Sequence, residues 1–389
     1  MNRRMKNIRY SGIRKFFNEI KNYEDAISFT LGQPDFNIPK SIENGIVTAL
    51  RERKTSYTSN QGIPELREKI SEFLDKEYGV NFSRDEIMLT VGGSEALFIA
   101  FSALFNEGDY VLIPNPGYPA YENILRFIGA KPVFYSVNSK YGVNFGNIKK
   151  IFEMQKISGI VLCFPNNPTG ISMSQEDKKH LHDILIEFPE CKIISDEIYS
   201  GISYEKFETI CTYEDLIDRT VLVSGFSKIF SMTGLRLGFM CSKKHYLDEI
   251  IKLHSYATSC ATSIVQYGTL YGFDEAVEQS KLMVKEFEKR RNFICDSLIN
   301  MGFDIILPKG AFYVFPSIKE ITNMDSYSFA VDLIKNGGVA CVPGISFGDE
   351  GEGHLRISYC NSIDEIKEGL RRIENYLKII HKWSYDFWI

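Results

Sequence analysis

Seven short apolar runs recur between residues 87 and 241, with helical patterns around them, and this alternation restricts the fold more than any other feature. The runs are Ile87 to Val91, Tyr110 to Ile113, Pro132 to Val137, Ile160 to Phe164, Lys192 to Ser195, Thr220 to Val223 and Leu237 to Cys241. Several are apolar throughout, as expected where helices cover both faces of a sheet. Leu66, Ile70, Phe73 and Leu74 share one face of a helix. Ser174-Gln175-Glu176-Asp177 is a capping-box-like start, and Leu181, Ile184 and Leu185 form the apolar stripe behind it. Together these patterns predict an α/β fold with a mostly parallel, helix-flanked sheet. In such sheets, sites gather in the loops after the carboxyl ends of the strands.

After about residue 270 the texture changes. A long charged helical segment, roughly Phe273 to Met301, precedes Gly310-Ala311-Phe312-Tyr313-Val314-Phe315-Pro316. A helix-strand pattern then ends in Gly353-His354-Leu355-Arg356-Ile357-Ser358-Tyr359. The expected organisation is an N-terminal segment (1–40) packing with a small domain, a large domain (41–270) and a small C-terminal α+β domain (271–389). Trp383 to Ile389 holds both tryptophans and reads as an aromatic patch docking on the body or on a partner subunit.

Composition narrows the function classes. The 389 residues are enough for a large core, and the formal net charge of -5 gives no electrostatic case for nucleic acid. No stretch approaches the roughly 18 apolar residues of a membrane span. Met1 to Tyr10 has no apolar core and reads as no signal peptide. The eight cysteines are scattered without a C-x-x-C pair, which suggests reduced thiols and a cytoplasmic protein. The six histidines form no H-E-x-x-H, and His180 and His182 point to different helix faces, so no metal site is expected.

The loops after the strands carry the chemistry. Gly92-Gly93-Ser94 follows one run and opens a helix; its backbone N–H groups suit a phosphate, although two glycines there also make a tight turn. Asn115-Pro116-Gly117-Tyr118-Pro119 presents an aromatic ring that can stack on a planar cofactor, or simply pack in a rigid turn. Phe164-Pro165-Asn166-Asn167-Pro168-Thr169-Gly170 presents an amide able to donate to a phenolate oxygen; an Asn-Pro turn is the plainer reading. Asp196 ends another run and can pair with a pyridinium nitrogen or cap a helix, and Tyr199, three residues on, can donate to the same phenolate as Asn167.

Lys228 stands in a short polar loop, Ser224-Gly225-Phe226-Ser227-Lys228, after the run Thr220 to Val223. Most lysines are solvated, but this position suits a Schiff base with an aldehyde cofactor. Hydroxyls and Arg236 nearby can hold a phosphate, so the segment points to pyridoxal phosphate. Arg356 lies between apolar residues in a strand-like run and must be paired, either in an internal salt bridge or with a substrate carboxylate that fits its fork.

Taken together, these segments resemble the class I/II aminotransferases, pyridoxal phosphate enzymes of fold type I in the aspartate aminotransferase superfamily. The resemblance runs from Gly32 to Arg356. It is strongest toward the bacterial aminotransferase A group, through Ser11-Gly12-Ile13-Arg14-Lys15-Phe16, Gly32-Gln33-Pro34-Asp35-Phe36, Thr55-Ser56-Tyr57-Thr58 and Ser259-Cys260-Ala261-Thr262-Ser263. It implies that Lys228 holds the cofactor and shuttles a proton, that Asp196 pairs with the pyridine nitrogen, and that Asn167 and Tyr199 bind the phenolate. It further implies Tyr118 stacked on the ring, and Gly93, Ser94, Ser227 and Arg236 around the phosphate. Arg356 would clamp the substrate α-carboxylate with help from Asn167 and Gly32, and Ile13, Phe16 and Phe347 would line the side-chain pocket. Tyr57 would reach the phosphate of a neighbouring subunit, which makes a homodimer the working unit.

Two departures stand out. Many relatives carry serine three residues before the lysine, where this chain has Gly225, leaving Ser227 or Ser224 as substitutes. No arginine lies between Arg236 and Arg290, against a strict dicarboxylate specificity that uses one there. The implied activity is ping-pong transfer of an amino group from an L-amino acid (aspartate, aromatic or N-acetyl-LL-diaminopimelate type) to a 2-oxo acid such as 2-oxoglutarate. A cysteine-conjugate β-lyase is the competing enzyme reading. A cofactor-sensing regulator would need a DNA-binding domain, and about 30 residues before Gly32 are too few for one.

Overall fold

Each of the seven apolar runs forms a strand within two residues of its expected bounds. In the computed structural model, which describes residues 1–8, 12, 16, 23, 25–137 and 142–386 (side chains to 380), the strands are numbered along the chain. They are β1 (Ile27–Ser28), β2 (Ile87–Thr90), β3 (Tyr110–Asn115), β4 (Lys131–Ser136), β5 (Gly159–Cys163), β6 (Lys192–Asp196), β7 (Thr220–Gly225) and β8 (Gly238–Cys241). The smaller elements β9 (Tyr313–Val314), β10 (Val339–Ala340), β11 (Val342–Pro343) and β12 (Leu355–Ser358) follow.

One sheet takes the order β2-β8-β7-β6-β5-β3-β4. β8 runs antiparallel to both its neighbours, and the other pairings are parallel. β5 and β7 are buried along their whole length, because separate apolar clusters cover the two faces of the sheet. Helix Pro64–Tyr78 buries Leu66, Ile70 and Leu74 on the face anticipated for it. Helix Gln175–Leu185 starts with a reciprocal capping box between Ser174 and Asp177.

A third apolar cluster joins β9, β10 and β12 to Phe29, the helix Ser326–Gly337 and the C-terminal helix Ile363–Asp386. β1 pairs with β10 in parallel, so the start of the chain is tied into this smaller core. The helix Ser263–Asn300 serves both cores: Phe273, Ala276 and Val277 pack on the large one, and Met283, Phe287 and Ile294 on the small one. It begins ten residues before the segment read from the sequence. The added turns hide from an apolar-periodicity reading because Val265 is the one apolar side chain buried there, beside Gln266, Gly268, Thr269 and Gly272. Gly268 and Gly272 approach the backbone of helix Lys40–Arg51, where a Cβ on either would come within 2.3–2.5 Å of Ile46 and Ile42 atoms.

Among the described residues no helix is long and apolar enough to cross a membrane. The C-terminal aromatic patch falls outside the described residues beyond its helical backbone to Asp386.

Candidate active site

The carboxyl ends of β5, β6 and β7 open into one cavity of about 440 Å³, closed on its far side by residues around Thr30, Tyr313 and Arg356. Lys228 arrives there on the short helix Phe226–Ile229 directly after β7. The stacked rings of Phe226 and Phe230, 5.2 Å apart, anchor that helix in the large core. The Lys228 Nζ donates to the carbonyl of Gly32 at 2.5 Å. Burial pushes the amine down to about 8, with Arg356 and Arg236 adding to the effect and Cys360 and Asp196 opposing it.

Gly225, three residues before the lysine, faces Gly238 across β7 and β8. A Cβ on Gly225 would lie 2.7 Å from Gly238 Cα, and one on Gly238 would lie 2.6 Å from the Gly92 carbonyl carbon. Three glycines thus let the lysine turn, β8 and the start of helix Gly92–Leu104 approach closely. Of the two candidate substitute serines, Ser224 donates to the Glu197 carbonyl and is turned from the cavity, whereas Ser227 lines it.

Asp196 ends β6, is buried, and accepts a hydrogen bond from the Tyr121 hydroxyl at 2.6 Å. Burial raises its carboxyl to about 6, against the stabilising effect of that hydrogen bond. Tyr118 lines the cavity and meets Tyr121 edge-on at 5.6 Å. The next residue along the chain from Asp196, Glu197, turns to the other side, where Ser195, Thr209 and Cys211 donate to it and burial raises it to about 7.

Two cationic ends flank the lysine. At one, helix Gly92–Leu104 begins without a side-chain cap, leaving its first N–H groups beside Gly93, Ser94 and Arg236. Gly92 has φ +73, and a Cβ there would meet the Arg236 guanidinium at 2.6 Å. Arg236 is held by the Thr233 carbonyl at 2.9 Å. At the other end Arg356, 3% exposed, donates to Asn167 Oδ1 at 3.1 Å and to the Thr30 carbonyl at 2.7 Å. Its Nε has no partner among the described residues, and its guanidinium lies over the rings of Tyr313 (4.4 Å) and Phe347 (4.9 Å). The internal salt bridge weighed for this arginine is therefore absent among the described residues.

The cavity thus brings together Lys228, Asp196, Tyr199, Asn167, Tyr118 and Arg356, together with Gly32, Gly93, Ser94, Ser227 and Arg236. Tyr57 is not among them: within the single chain it is 86% exposed. Ile13 lies outside the described residues. Phe16 packs in the small core near Tyr327, and Phe347 lies behind Arg356 with Phe315, so neither lines the cavity. Sequence reasoning missed Tyr121 and Tyr313, which contact Asp196 and Tyr199. The available signal was positional: Tyr121 is one helical turn after Tyr118, and Tyr313 lies in the apolar segment after the long helix.

A phosphate-bearing aromatic aldehyde fits this arrangement. The uncapped helix start and Arg236 form an anion cradle that a Cβ at Gly92 would fill, Asp196 is a buried acid, and Lys228 is an amine set between them.

The chain belongs to the class I and II aminotransferase family, whose profile matches residues 24–373, and it is an aminotransferase of fold type I. It is 38% identical to the probable N-acetyl-LL-diaminopimelate aminotransferase of Bacillus subtilis, over 97% of this chain and 95% of that one. It is 36% identical to the aspartate aminotransferase of Pyrococcus horikoshii, over 95% of each. Among solved structures, the aspartate aminotransferase of Rhizobium meliloti superposes with a TM-score of 0.93 at 28% identity, covering 97% of this chain and 98% of that one.

Proposed function

We propose that this aminotransferase works with pyridoxal phosphate and moves an amino group from an L-amino acid to a 2-oxo acid, with 2-oxoglutarate as acceptor, in ping-pong order. The donor is of aspartate, aromatic or N-acetyl-LL-diaminopimelate type. The observation that carries this is the depressed Lys228 amine standing between two separate anion sites, Arg236 with the helix start and Arg356, whose Nε has no partner among the described residues. One site suits a cofactor phosphate and the other a substrate carboxylate.

Pyridoxal phosphate would supply an aldehyde that condenses with amines and a ring that withdraws electrons from the substrate Cα. The protein's own groups do the rest. Asp196, held in place by Tyr121, would keep a proton on the ring nitrogen. Asn167 and Tyr199 would hold the phenolate oxygen, and Tyr118 would cover the ring face. Arg356 fixes the α-carboxylate while Asn167 Oδ1 and the Thr30 carbonyl hold the guanidinium. Lys228 Nζ, leaving the Gly32 carbonyl, takes the α-proton as general base. Tyr57, exposed within the single chain, would reach the phosphate of a partner subunit in a homodimer. The eight unpaired cysteines support a cytoplasmic setting.

The test is the visible spectrum of the protein loaded with pyridoxal phosphate, with candidate amino acids added singly. Conversion by one donor, reversed by 2-oxoglutarate, supports transamination and names the donor. Release of ammonia and pyruvate from a cysteine conjugate without any 2-oxo acid would establish the β-lyase instead. A protein that never develops a visible band would overturn the role of Lys228.

A further inference from the structure

Tyr313 is buried at 1% exposure, and its hydroxyl lies 3.0 Å from that of Tyr199. Each is the other's only hydrogen-bond partner among the described residues. A pair of phenols sharing one hydrogen bond has a single proton left over, and the cavity is the place for it, since both residues line that cavity. Which of the two oxygens presents the proton depends on which phenol is the better donor. The Arg356 guanidinium sits 4.4 Å from the centre of the Tyr313 ring, and a cation on a phenol's face strengthens its O–H as a donor. Burial raises both phenols above their ordinary range, and Arg356 opposes that rise for Tyr313 more prominently than for Tyr199. The closer cation, Arg356, thus favours a polarity of Tyr313 to Tyr199 to the cavity.

We propose that Tyr313 is a positioning residue: by donating to Tyr199 it turns the Tyr199 proton toward an anionic oxygen in the cavity and strengthens that bond. The proposal rests on the reading of the cavity as a pyridoxal phosphate site with Tyr199 at the phenolate. Hydrogen bonds in series polarise one another, so the loss of Tyr313 Oη weakens what Tyr199 offers. The place of Tyr313 is specific. Gly32 leaves room for its hydroxyl, because a Cβ on Gly32 would lie within 2.4 Å of Tyr313 Oη. The other titratable groups bearing on the pair are Cys360 and Tyr118 near Tyr313, Cys163 near Tyr199, and Lys228, whose amine lies 6.0 Å from the centre of the Tyr199 ring.

The experiment titrates the visible band of the pyridoxal phosphate-loaded protein against pH in wild type, Tyr313→Phe, Tyr199→Phe and the double variant. Tyr313→Phe keeps the ring under Arg356, and melting temperature and cofactor content are measured alongside. A weaker donor at the phenolate moves the midpoint up. The expected rise is roughly half a pH unit for Tyr313→Phe and more for Tyr199→Phe, with no further rise when the two are combined. An unchanged midpoint in a folded, loaded Tyr313→Phe protein overturns the proposal, as does a shift that adds fully to that of Tyr199→Phe. A wild-type protein without a visible band defeats the cofactor reading itself, a different outcome from either.

Discussion

Lys228 is legible from its neighbours in the sequence, yet its chemistry depends on residues far along the chain. Burial lowers its amine to about 8 from an ordinary lysine value of 10.5. The unfolded chain therefore holds more protons between these values, so this group's contribution to stability is present above 10.5 and lost as pH falls through 8. In cofactor-free protein, amine-directed labelling of Lys228 should show a midpoint near 8; a midpoint at the value of exposed lysines would contradict the burial argument. Lys228→Ala should abolish turnover, and near-normal activity in that variant would remove it from the reaction. Asp196 carries the opposite sign. Its carboxyl is raised from 3.8 to about 6, so its stabilising contribution is present below 3.8 and lost as pH rises through 6. Asp196→Asn should raise the stability of the cofactor-free protein at pH 8, by up to about 3 kcal/mol, and lose that advantage near pH 3. Denaturant melts at the two pH values check this. Tyr121 and Tyr313 escaped the sequence reading because their partners lie 75 and 114 residues away, and nothing local marks a tyrosine for either task.

The strands were the most legible elements, because strands covered on both faces write themselves as apolar runs. The short strands β1, β9, β10 and β11 have two residues each, too few for any period to register. The start of the helix Ser263–Asn300 was hidden for a different reason: its buried face holds Gln266, Gly268, Thr269 and Gly272 beside the single apolar Val265. Local stop and start chemistry was readable where a side chain performs it. Ser174→Ala, which removes the hydroxyl that accepts from Asp177 N, should cost about 1 kcal/mol in a denaturant titration. The glycine contact between β7 and β8 gives a sharper test. Gly225→Ser adds the hydroxyl weighed for this position but places a Cβ 2.7 Å from Gly238 Cα. It should destabilise by about 1–3 kcal/mol, the usual cost of overpacking. A stability equal to wild type would show that the strands can separate at no cost.

At the scale of the molecule, two cores meet over one cavity, and that meeting could be inferred from the change of texture near residue 270 only in outline. The sequence could place Arg356 in a strand but not seat it against Asn167, 189 residues away. Tyr57 belongs to this scale too, since it stands exposed and outside the Lys228 cavity within its own chain. On the proposed homodimer, mixing Lys228→Ala with Tyr57→Ala subunits under exchange conditions should restore activity above that of either variant alone, because one hybrid site then has both groups intact. No restoration would place Tyr57 outside the site. The bonds from Lys228 to Gly32 and from Arg356 to Thr30 span 196 and 326 residues. A ribosome therefore delivers the lysine long before it delivers the last wall of the pocket. Through the synthesis of more than a hundred residues the amine is present without its enclosure, and the finished cavity must wait until the strand that carries Arg356 has emerged.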